Sequence, residues 1–370
     1  MTAASPGRAA SVPVATPLLV PSVDAAPATQ GTTWPHRHLL DLDRVSWPEI
    51  ELVMRTAQAM KEVLGRPIAR VPALRGSGVT ILFYEASTRT RVSFEVAAKN
   101  LSADVVNIAA ASSSVSKGES LIDTIRTVEA LGARMIVIRH PASGAADLAA
   151  EHFSGSILNG GDGWHAHPSQ ALLDLFTLRE RLPGGDLHGR KVVILGDVLH
   201  SRVARSNIWS LTAAGADLWL CAPATLMRGF ERWAAASAGV PGHGRFQLTS
   251  DIGAALRDAD VIMALRLQRE RMAAGLLPSL REYAARYGLT LERLALARPD
   301  ALVMHPGPMN EGIEIAPEVA DHPRSVITDQ VTNGVAVRMA LLYLLAGTGV
   351  VGAGGGAAAG PAVAAEATGG

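Results

Sequence analysis

Hydroxyl and guanidinium side chains are concentrated in one short run of the chain, Ser87-Thr88-Arg89-Thr90-Arg91. The run follows the apolar stretch 79–84, which predicts a buried strand, and it precedes a stretch with helical periodicity. At a helix N-terminus, unpaired backbone N–H groups and the positive end of the helix dipole meet. Hydroxyls and arginines added there form a phosphate-binding site. Helix capping by Ser87 or Thr88 needs only one hydroxyl, so we favour the phosphate site.

Further polar residues follow predicted strands at several other places. They are Arg139 in the run Arg139-His140-Pro141 after strand 135–138, His167 and Gln170 in the run His165-Ala166-His167-Pro168-Ser169-Gln170 after strand 156–158, Arg202 after strand 191–195, Arg266 and Gln268 after strand 261–265, and His305-Pro306-Gly307-Pro308 after strand 302–304. In parallel sheets, ligands bind outside the carboxyl ends of the strands. We therefore expect these side chains to line one cleft.

The turn after strand 191–195 argues against one class of enzyme. A dinucleotide-binding oxidoreductase would carry the spacing Gly-x-Gly-x-x-Gly there, and the run Gly196-Asp197-Val198-Leu199-His200-Ser201-Arg202 lacks it. The chain also has no spaced Cys/His cluster, so we expect no metal and no cofactor. The single cysteine, Cys221, ends an apolar run, and we interpret it as a buried strand residue rather than a nucleophile.

Strand and helix patterns alternate through the middle of the chain, which predicts an α/β fold with parallel sheets and helices on both faces. A chain of 370 residues is long enough for two cores, and the breaker at 183–185 separates two such halves. We expect two doubly wound parallel-sheet domains with the active site in the cleft between them. The expected segments are a disordered extension at 1–33, a first domain at 34–182, a second domain at 186–330, a final amphipathic helix at 333–345 that packs back on the first domain, and a disordered Gly/Ala tail at 347–370.

The charge balance argues against nucleic acid as a partner. Lys+Arg and Asp+Glu are 34 each, so the formal net charge is zero and gives no broad basic surface. Residues 339–364 carry no charge, but the second half of this stretch is mostly Gly and Ala and is too weakly apolar to insert into a membrane. A single cysteine excludes an intramolecular disulfide and suits a reducing cytosol. We therefore expect a cytoplasmic protein that binds neither nucleic acid nor membrane.

In this order along the chain, the polar runs resemble the motifs of the aspartate/ornithine transcarbamoylase superfamily, whose Ser-Thr-Arg-Thr loop grips carbamoyl phosphate. The run Ser116-Lys117-Gly118-Glu119-Ser120 is similar to a mobile loop that family members lend to a neighbouring subunit. By this resemblance, carbamoyl phosphate binds to Ser87, Thr88, Arg89, Thr90, Arg139, His167 and Gln170, and the catalytic residues are Arg89, Thr90, Arg139 and His167.

The resemblance also implies how each residue type is used. Thr90, Arg139 and His167 are expected to donate hydrogen bonds to the carbamoyl carbonyl, where negative charge develops. Gln170 is expected to hold the carbamoyl amide, because its side chain can both donate and accept. Lys117 is one of four lysines in an arginine-rich chain, and a flexible point charge suits a mobile loop.

For the acceptor, the resemblance implies a site for aspartate. Its residues are Lys117, Arg202, Arg266 and Gln268, with Ser113 and Lys117 contributed by the loop of a neighbouring subunit and with backbone contacts from Gly307 and Pro308. Two arginines favour an amine with two carboxylates, because each guanidinium can pair with a carboxylate through two hydrogen bonds. The ornithine enzymes of the family share Asp-x-x-x-Ser-Met-Gly and His-Cys-Leu-Pro motifs, and this chain has neither.

We therefore expect an enzyme that transfers the carbamoyl group of carbamoyl phosphate to L-aspartate, an early step of de novo pyrimidine biosynthesis. The resemblance implies a homotrimer, which larger assemblies with regulatory chains or dihydroorotase could contain. Three alternatives stay open at this point. They are a dinucleotide-dependent oxidoreductase, a catalytically inactive paralogue that serves as a partner protein, and a transcarbamoylase for another dicarboxylate amine.

Overall fold

The structure is a computed structural model that describes residues 33–109, 118–237, 243–268, 271–272 and 275–351. The strands are β1 (Gly78–Phe83), β2 (Asp104–Ala109), β3 (Ala133–His140), β4 (Ser156–Asp162), β5 (Lys191–Leu195), β6 (Asp217–Cys221), β7 (Phe246–Thr249), β8 (Val261–Ala264) and β9 (Leu302–Met304). The helices are α1 (Trp47–Leu64), α2 (Thr88–Asn100), α3 (Leu121–Ala130), α4 (Ala145–Glu151), α5 (Pro168–Arg181), α6 (Arg202–Ala213), α7 (Phe230–Ser237), α8 (Ile252–Leu256), α9 (Leu280–Tyr287), α10 (Leu291–Leu294), α11 (Pro317–Ala320) and α12 (Ile327–Val351). The expectations for residues 1–32 and 352–370 lie outside the described residues.

The described strands form two parallel sheets, one with the order β2-β1-β3-β4 and one with the order β7-β6-β5-β8-β9. In each sheet the chain adds strands on one side of its first strand and then crosses to the other side. The order therefore reverses at β1 and at β5. Open parallel sheets bind ligands at such reversal points, beyond the carboxyl ends of the strands. The predicted fold of two parallel-sheet α/β domains is confirmed.

Central strands are buried on both faces, which explains why the sequence predicted them. Five of the six residues of β1 and all four residues of β8 are buried. Such strands read as continuous apolar runs. The edge strands β2 and β7 escaped prediction because they are partly exposed and carry polar residues such as Asn107 and Gln247. The helices α3, α4, α7 and α11 were also missed.

The last helix differs from its prediction at both ends. The expected helix at 333–345 begins at Ile327 instead and continues to Val351, so residues 347–351 are helical and do not belong to a disordered tail. The helix is also less amphipathic than expected, because its polar residues Gln330, Asn333 and Arg338 are at most 4% exposed. These buried polar residues interrupt the apolar period, and the glycines after 346 suggested an early end.

Helix α12 packs against α1, α2 and α5, which lie around the first sheet. Leu341, Leu342 and Leu345 are fully buried there. The last helix, α12, thus completes a core that also contains the first helix, α1. Among the described residues, no helix is long and apolar enough to cross a membrane.

Cys221 lies at the end of β6 and is fully buried, as predicted. Burial raises the pKa of its thiol to about 12. A thiol with this pKa carries almost no thiolate at neutral pH, so Cys221 is a packing residue and not a nucleophile.

The packing of α12 gives a stability prediction. Leu341→Ala removes a fully buried side chain and should lower the free energy of unfolding by about 2–5 kcal/mol, because transfer and cavity terms add. Leu131→Ala removes a side chain that is 81% exposed and should change it by less than about 0.5 kcal/mol. Urea unfolding followed by circular dichroism measures both. Equal midpoints for the two variants would contradict the burial of α12.

Candidate functional site

A cavity of about 870 Å³ lies where the loops after the two reversal strands face each other. Nearly all of the site residues predicted from the sequence line it. They are Ser87, Thr88, Arg89, Thr90, Arg139, His167, Gln170, Arg202, Arg266, Gln268, Gly307 and Pro308. Ser113 and Lys117 lie outside the described residues. The cavity therefore brings together polar groups from both halves of the chain.

The hydroxyl-rich run forms the N-terminus of α2. Ser87 is the N-cap residue, and its Oγ accepts a hydrogen bond from the backbone N–H of Thr90 at 3.4 Å. Thr88 and Arg89 open the helix, so their backbone N–H groups point out of its first turn. Ser87 thus caps the helix, and the positive end of the helix dipole lies at the cavity, where an anion is favourable.

Arg89 reaches from this helix to the loop after β9. Its Nη1 donates to the carbonyl oxygen of Pro306 at 2.9 Å. The adjacent Gly307 has φ +60°, and a Cβ built there would lie 1.6 Å from Nη1 of Arg89. Any side chain at Gly307 would displace the guanidinium from this position. Glycine at this point lets Arg89 of the first half contact the loop after β9 in the second half.

Glu85 lies at the centre of three arginines, and no sequence pattern indicated this role. Its carboxylate is paired with Arg139 at 2.8 Å and with Arg271 at 2.7 Å, and it also forms a close ion pair with Arg202. The three arginines come from β3, from α6 and from the loop after β8. One carboxylate of the first half therefore holds arginines of both halves.

The charges around Glu85 shift its pKa. Burial alone would raise the pKa of the Glu85 carboxyl, but the hydrogen bond and charge of Arg202 and then the charges of Arg139 and Arg271 outweigh it. The net result is a pKa below the ordinary value, so Glu85 is ionised at neutral pH. Burial, followed by the charge of Arg202, lowers the pKa of Arg139 to about 9, which still leaves its guanidinium cationic.

Arg139 and Arg202 both lie next to Gly161, one residue before the end of β4. Gly161 has φ +116°, and a Cβ there would lie 3.0 Å from Nη1 of Arg139 and 3.0 Å from Nε of Arg202. Arg139 also donates to the carbonyl oxygen of Gly160 at 3.1 Å. A residue with a side chain at Gly161 would push the two guanidiniums apart.

His167 is a buried, neutral histidine at the N-cap of α5. Its backbone N–H donates to Oγ of Ser206 at 2.9 Å, and that hydroxyl donates to Oδ1 of Asp41 at 2.8 Å. Burial, followed by the charges of Arg139 and other nearby arginines, holds the pKa of His167 well below its ordinary value. A neutral imidazole can donate one hydrogen bond and accept another.

His165, two residues earlier, is in the opposite state. Its Nδ1 lies 3.0 Å from Oδ2 of Asp162, and this hydrogen bond, opposed by burial and helped by the carboxylate charges, raises the pKa of His165 to about 9. Asp147, Asp162 and His165 place their ligand atoms within 4.8 Å of one another, as a cation site would. The oxygens of Asp162, however, already accept from the backbone of Gly144 and Ala166 and from the Asn159 side chain. We therefore interpret Asp162 and His165 as an ion pair that orders the loop before His167.

On the other side of the cavity, one buried carboxylate orders two loops of the second half. Asp197, which follows β5, accepts from Nδ1 of His200 at 2.8 Å and from the backbone N–H of Gln268 at 3.2 Å. It thereby fixes the turn of Arg266 and Gln268 next to the turn that ends in Arg202. Arg202 is 5% exposed, so its guanidinium belongs to the cavity wall and not to the protein surface.

The loop after β9 is held by a second buried carboxylate. Nδ1 of His305 accepts from the backbone N–H of Gly307 at 2.8 Å, and its Nε2 lies 3.2 Å from Oε1 of Glu314. The same Glu314 oxygen accepts from the backbone N–H of Asn310 at 2.6 Å. These contacts fix the carbonyl groups of residues 305–308 at the cavity.

Three charged residues of the site were absent from the sequence prediction: Glu85, Arg271 and Arg338. Arg271 lies five residues after Arg266, between β8 and α9. It does not directly follow a strand, so the pattern of polar residues at strand ends did not mark it as a site residue. Arg338 lies in the middle of α12, and its guanidinium stands 5.0 Å from the ring centre of Phe94. A charged residue in an otherwise apolar helix is a usable signal, because burying a charge is costly without a function or partner.

Comparisons with known proteins agree with this arrangement. The model of the aspartate/ornithine carbamoyltransferase carbamoyl-P binding domain matches residues 37–180, and the model of the Asp/Orn binding domain matches residues 188–345. The aspartate carbamoyltransferase catalytic subunit of Roseiflexus sp. is 60% identical over 311 residues, which cover 84% of this chain and 95% of the relative. The corresponding subunit of Chloroflexus aurantiacus is 58% identical and covers 84% and 98%.

Solved structures share the fold. Aspartate transcarbamoylase from Trypanosoma cruzi, in complex with carbamoyl phosphate and aspartate, has a TM-score of 0.71 and 29% identity, with 82% of this chain and 93% of that chain covered. Ornithine carbamoyltransferase from Pyrococcus furiosus has a TM-score of 0.74 and 29% identity, with 85% and 98% covered. The fold alone thus does not separate the two acceptors. With both of its halves matched, the chain belongs to the aspartate/ornithine carbamoyltransferase family.

Proposed function

We propose that this protein transfers the carbamoyl group of carbamoyl phosphate to the amine of L-aspartate, which gives N-carbamoyl-L-aspartate and phosphate. The observation that carries the proposal is the composition of the cavity wall. Among its described residues, one side chain, Glu85, is acidic, and six are arginines: Arg89, Arg139, Arg202, Arg266, Arg271 and Arg338. Relatives that are 58–60% identical are aspartate carbamoyltransferases, which supports aspartate as the acceptor and a place early in pyrimidine biosynthesis.

The phosphate group of the donor binds at the N-terminus of α2. Backbone N–H groups, the hydroxyls of Ser87 and Thr88 and the guanidinium of Arg89 meet there. To reach a phosphate, Arg89 exchanges its hydrogen bond with the carbonyl oxygen of Pro306 for charge-assisted hydrogen bonds to phosphate oxygens. This exchange is favourable because an ionised acceptor binds a guanidinium more strongly than a neutral carbonyl does.

The carbamoyl carbonyl lies between Thr90, Arg139 and His167, and Gln170 contacts the carbamoyl amide. The low pKa of His167 keeps its imidazole neutral, so it donates an N–H without adding another positive charge to the arginine cluster. Donors fixed where negative charge develops lower the barrier, because they need no rearrangement in the transition state. The contact of His167 with Ser206 and of Arg139 with Gly160 fixes two of these donors.

Aspartate binds through Arg202 and Arg266, one for each carboxylate, with Gln268 beside them. The amine then faces the carbonyl carbon, near the carbonyl groups of residues 305–308. Ornithine would bring a cationic side chain to a wall with six arginines and one carboxylate, and like charges repel strongly where water is excluded. The charge of the wall therefore favours a dicarboxylate amine.

The chemical step forms one bond and breaks another. The neutral amine of aspartate attacks the carbonyl carbon of carbamoyl phosphate, and a C–N bond forms as the carbonyl oxygen gains negative charge. The tetrahedral intermediate then expels phosphate by cleavage of the C–O bond, and the amine proton passes to the leaving phosphate. Holding both substrates in one cavity converts a reaction between two molecules in solution into a step within one complex.

A substrate panel tests the proposal. Purified protein is mixed with carbamoyl phosphate and with L-aspartate, L-ornithine, N-acetyl-L-ornithine or L-glutamate in parallel, and phosphate release and carbamoylated product are measured. We expect product with aspartate at least about 100-fold faster than with ornithine, because the arginine wall repels the second cation. Faster turnover of ornithine, or of another dicarboxylate amine, would reject aspartate as the acceptor.

A pair of arginine variants separates the two substrate positions. Arg266→Ala should raise the KM for aspartate about 30- to 700-fold, since loss of a charged carboxylate contact costs about 2–4 kcal/mol. The affinity for carbamoyl phosphate should change less than about threefold. Arg89→Ala is the matched control, because it removes an arginine of the same cavity and should weaken carbamoyl phosphate instead. Isothermal calorimetry with carbamoyl phosphate and steady-state kinetics with aspartate give both values. Equal effects of Arg266→Ala on both substrates would remove it from the acceptor position.

We further infer that the chain works as a homotrimer in the cytoplasm, with Ser113 and Lys117 of one subunit completing the cavity of its neighbour. The resemblance of the run Ser116-Lys117-Gly118-Glu119-Ser120 to the loop that family members lend to a neighbouring subunit supports this inference.

A mixing experiment tests the shared site. Lys117→Ala chains and Arg89→Ala chains, one of which carries a charged tag, are unfolded together and refolded. The charge of the tag then separates hybrid trimers from homotrimers. Hybrid trimers should recover activity, because about one in three of their sites joins an intact Arg89 cavity to an intact Lys117. The control is each variant refolded alone, which stays inactive. Inactive hybrids, or a chain that sediments as a monomer, would contradict the shared site.

A further inference from the structure

Below the cavity, one buried carboxylate on α5 receives three side-chain amides. Asp174 is fully buried. Its Oδ1 accepts from Nε2 of Gln170 at 2.9 Å and from Nε2 of Gln330 at 2.7 Å, and its Oδ2 accepts from Nδ2 of Asn207 at 2.9 Å. The three amides come from α5, α12 and α6. Asp174 therefore joins three helices beneath the floor of the site.

The charge of Asp174 decides which way each amide faces. Burial raises the pKa of its carboxyl to about 6, while the hydrogen bonds from the three amides and the charge of Arg338 act in the other direction. At pH 8 the group is an ionised carboxylate, which can only accept hydrogen bonds. Each amide must turn its NH₂ group to Asp174, and its oxygen must face elsewhere. For Gln330 the oxygen accepts from the backbone N–H of His305 at 3.1 Å.

The side-chain oxygen of Gln170, Oε1, is instead available to a ligand in the cavity. Gln170 lines the cavity, and no described residue donates a hydrogen bond to its Oε1. An amide oxygen that meets a bound ligand loses water and needs an N–H or O–H donor from that ligand. The NH₂ group of a carbamoyl unit is such a donor. The methyl group of an acetyl unit has the same size and no proton to donate.

Given the proposed function, we propose that Asp174 is a positioning residue that sets donor specificity. It locks the Gln170 amide with its oxygen toward the cavity, and the site thereby selects carbamoyl phosphate over acyl phosphates that carry a methyl group in place of NH₂. This narrows the expectation that Gln170 both donates to and accepts from the ligand, because its NH₂ group is turned toward Asp174. A site with a fixed acceptor discriminates more strongly than an amide that is free to turn over.

A purely structural role for Asp174 predicts a different result. If the carboxylate only stabilises the packing of α5, α6 and α12, its loss should weaken both acyl phosphates alike. The ratio of the two affinities therefore distinguishes the roles. Carbamoyl phosphate and acetyl phosphate carry the same phosphate group, so changes in the phosphate contacts cancel in the ratio.

The experiment measures the dissociation constants of carbamoyl phosphate and acetyl phosphate for the full chain at pH 8, without aspartate, by calorimetry. We expect the unaltered protein to bind carbamoyl phosphate about 10- to 100-fold more tightly. In Asp174→Asn the ratio should fall below about 3, because an amide at this position adds an NH₂ group and Gln170 is free to turn. Gln170→Met should lower the ratio in the same way, and the double variant should show no further fall.

Thr177→Val is the matched control, because Thr177 is another fully buried polar residue of α5 whose hydroxyl accepts from Asn333 and not from Gln170. It should keep the ratio of the unaltered protein, whatever its effect on stability. A ratio that stays unchanged in folded Asp174→Asn, or in Gln170→Met, would overturn the inference. If carbamoyl phosphate does not bind the unaltered chain at all, the proposed function fails instead.

A second measurement covers the case in which Asp174→Asn does not fold. The charge of Arg338 on α12 lowers the pKa of Asp174, and the three amides that donate to Asp174 from α5, α6 and α12 are neutral. Protonation below pH 6 turns one carboxylate oxygen into a donor and releases an amide. The ratio in the unaltered protein should therefore decline between pH 7 and pH 5, while in Gln170→Met it stays flat. A flat ratio in both proteins would overturn the inference as well.

Discussion

Positive charges that share a cavity repel one another, and Glu85 is the carboxylate that holds three of them together in this protein. Two unit charges 4 Å apart interact by about 4 kcal/mol at an effective dielectric constant of about 20, so a cluster of arginines without an anion would spread apart. Glu85 pairs with Arg139, Arg202 and Arg271, and these ion pairs hold three guanidiniums from both halves of the chain around one cavity.

The two sheets decide where this cluster forms. Each sheet reverses its strand order at one strand, and the loops that leave β1 and β5 open on the same cavity. Buried carboxylates then fix the loops from below. Asp197 orders the turns after β5 and β8, Glu314 orders the loop after β9, and Asp174 joins the helices beneath. Buried carboxylates thus order the loops and helices that carry the polar side chains of the cavity.

Sequence patterns predicted the parts of this protein that depend on local chemistry. Continuous apolar runs marked the central strands, and polar runs at their carboxyl ends marked the cavity residues, because both signals lie within a few neighbouring positions. The resemblance to a known family supplied the roles of single residues. Glu85 could not be recognised in this way, because its importance lies in three arginines that are distant in sequence. The bounds of α12 were wrong for a related reason: the buried polar residues Gln330 and Arg338 are stabilised by tertiary contacts that no period reveals. The orientation of the Gln170 amide likewise depends on a carboxylate that reads, in sequence, as one more polar residue of a helix.

The packing of α12 against α1, α2 and α5 has a consequence for how the chain is made. During synthesis, α1, α2 and α5 leave the ribosome long before α12 does. About 170 residues separate Arg181 at the end of α5 from Val351 at the end of α12. At a synthesis rate of about 5–20 residues per second, this interval lasts about 10 to 30 s. During that time the apolar faces that α12 will cover stay open to solvent, and the nascent first half is exposed to aggregation and to capture by chaperones. The order of elements along the chain therefore makes the first domain to be synthesised the last to be completed.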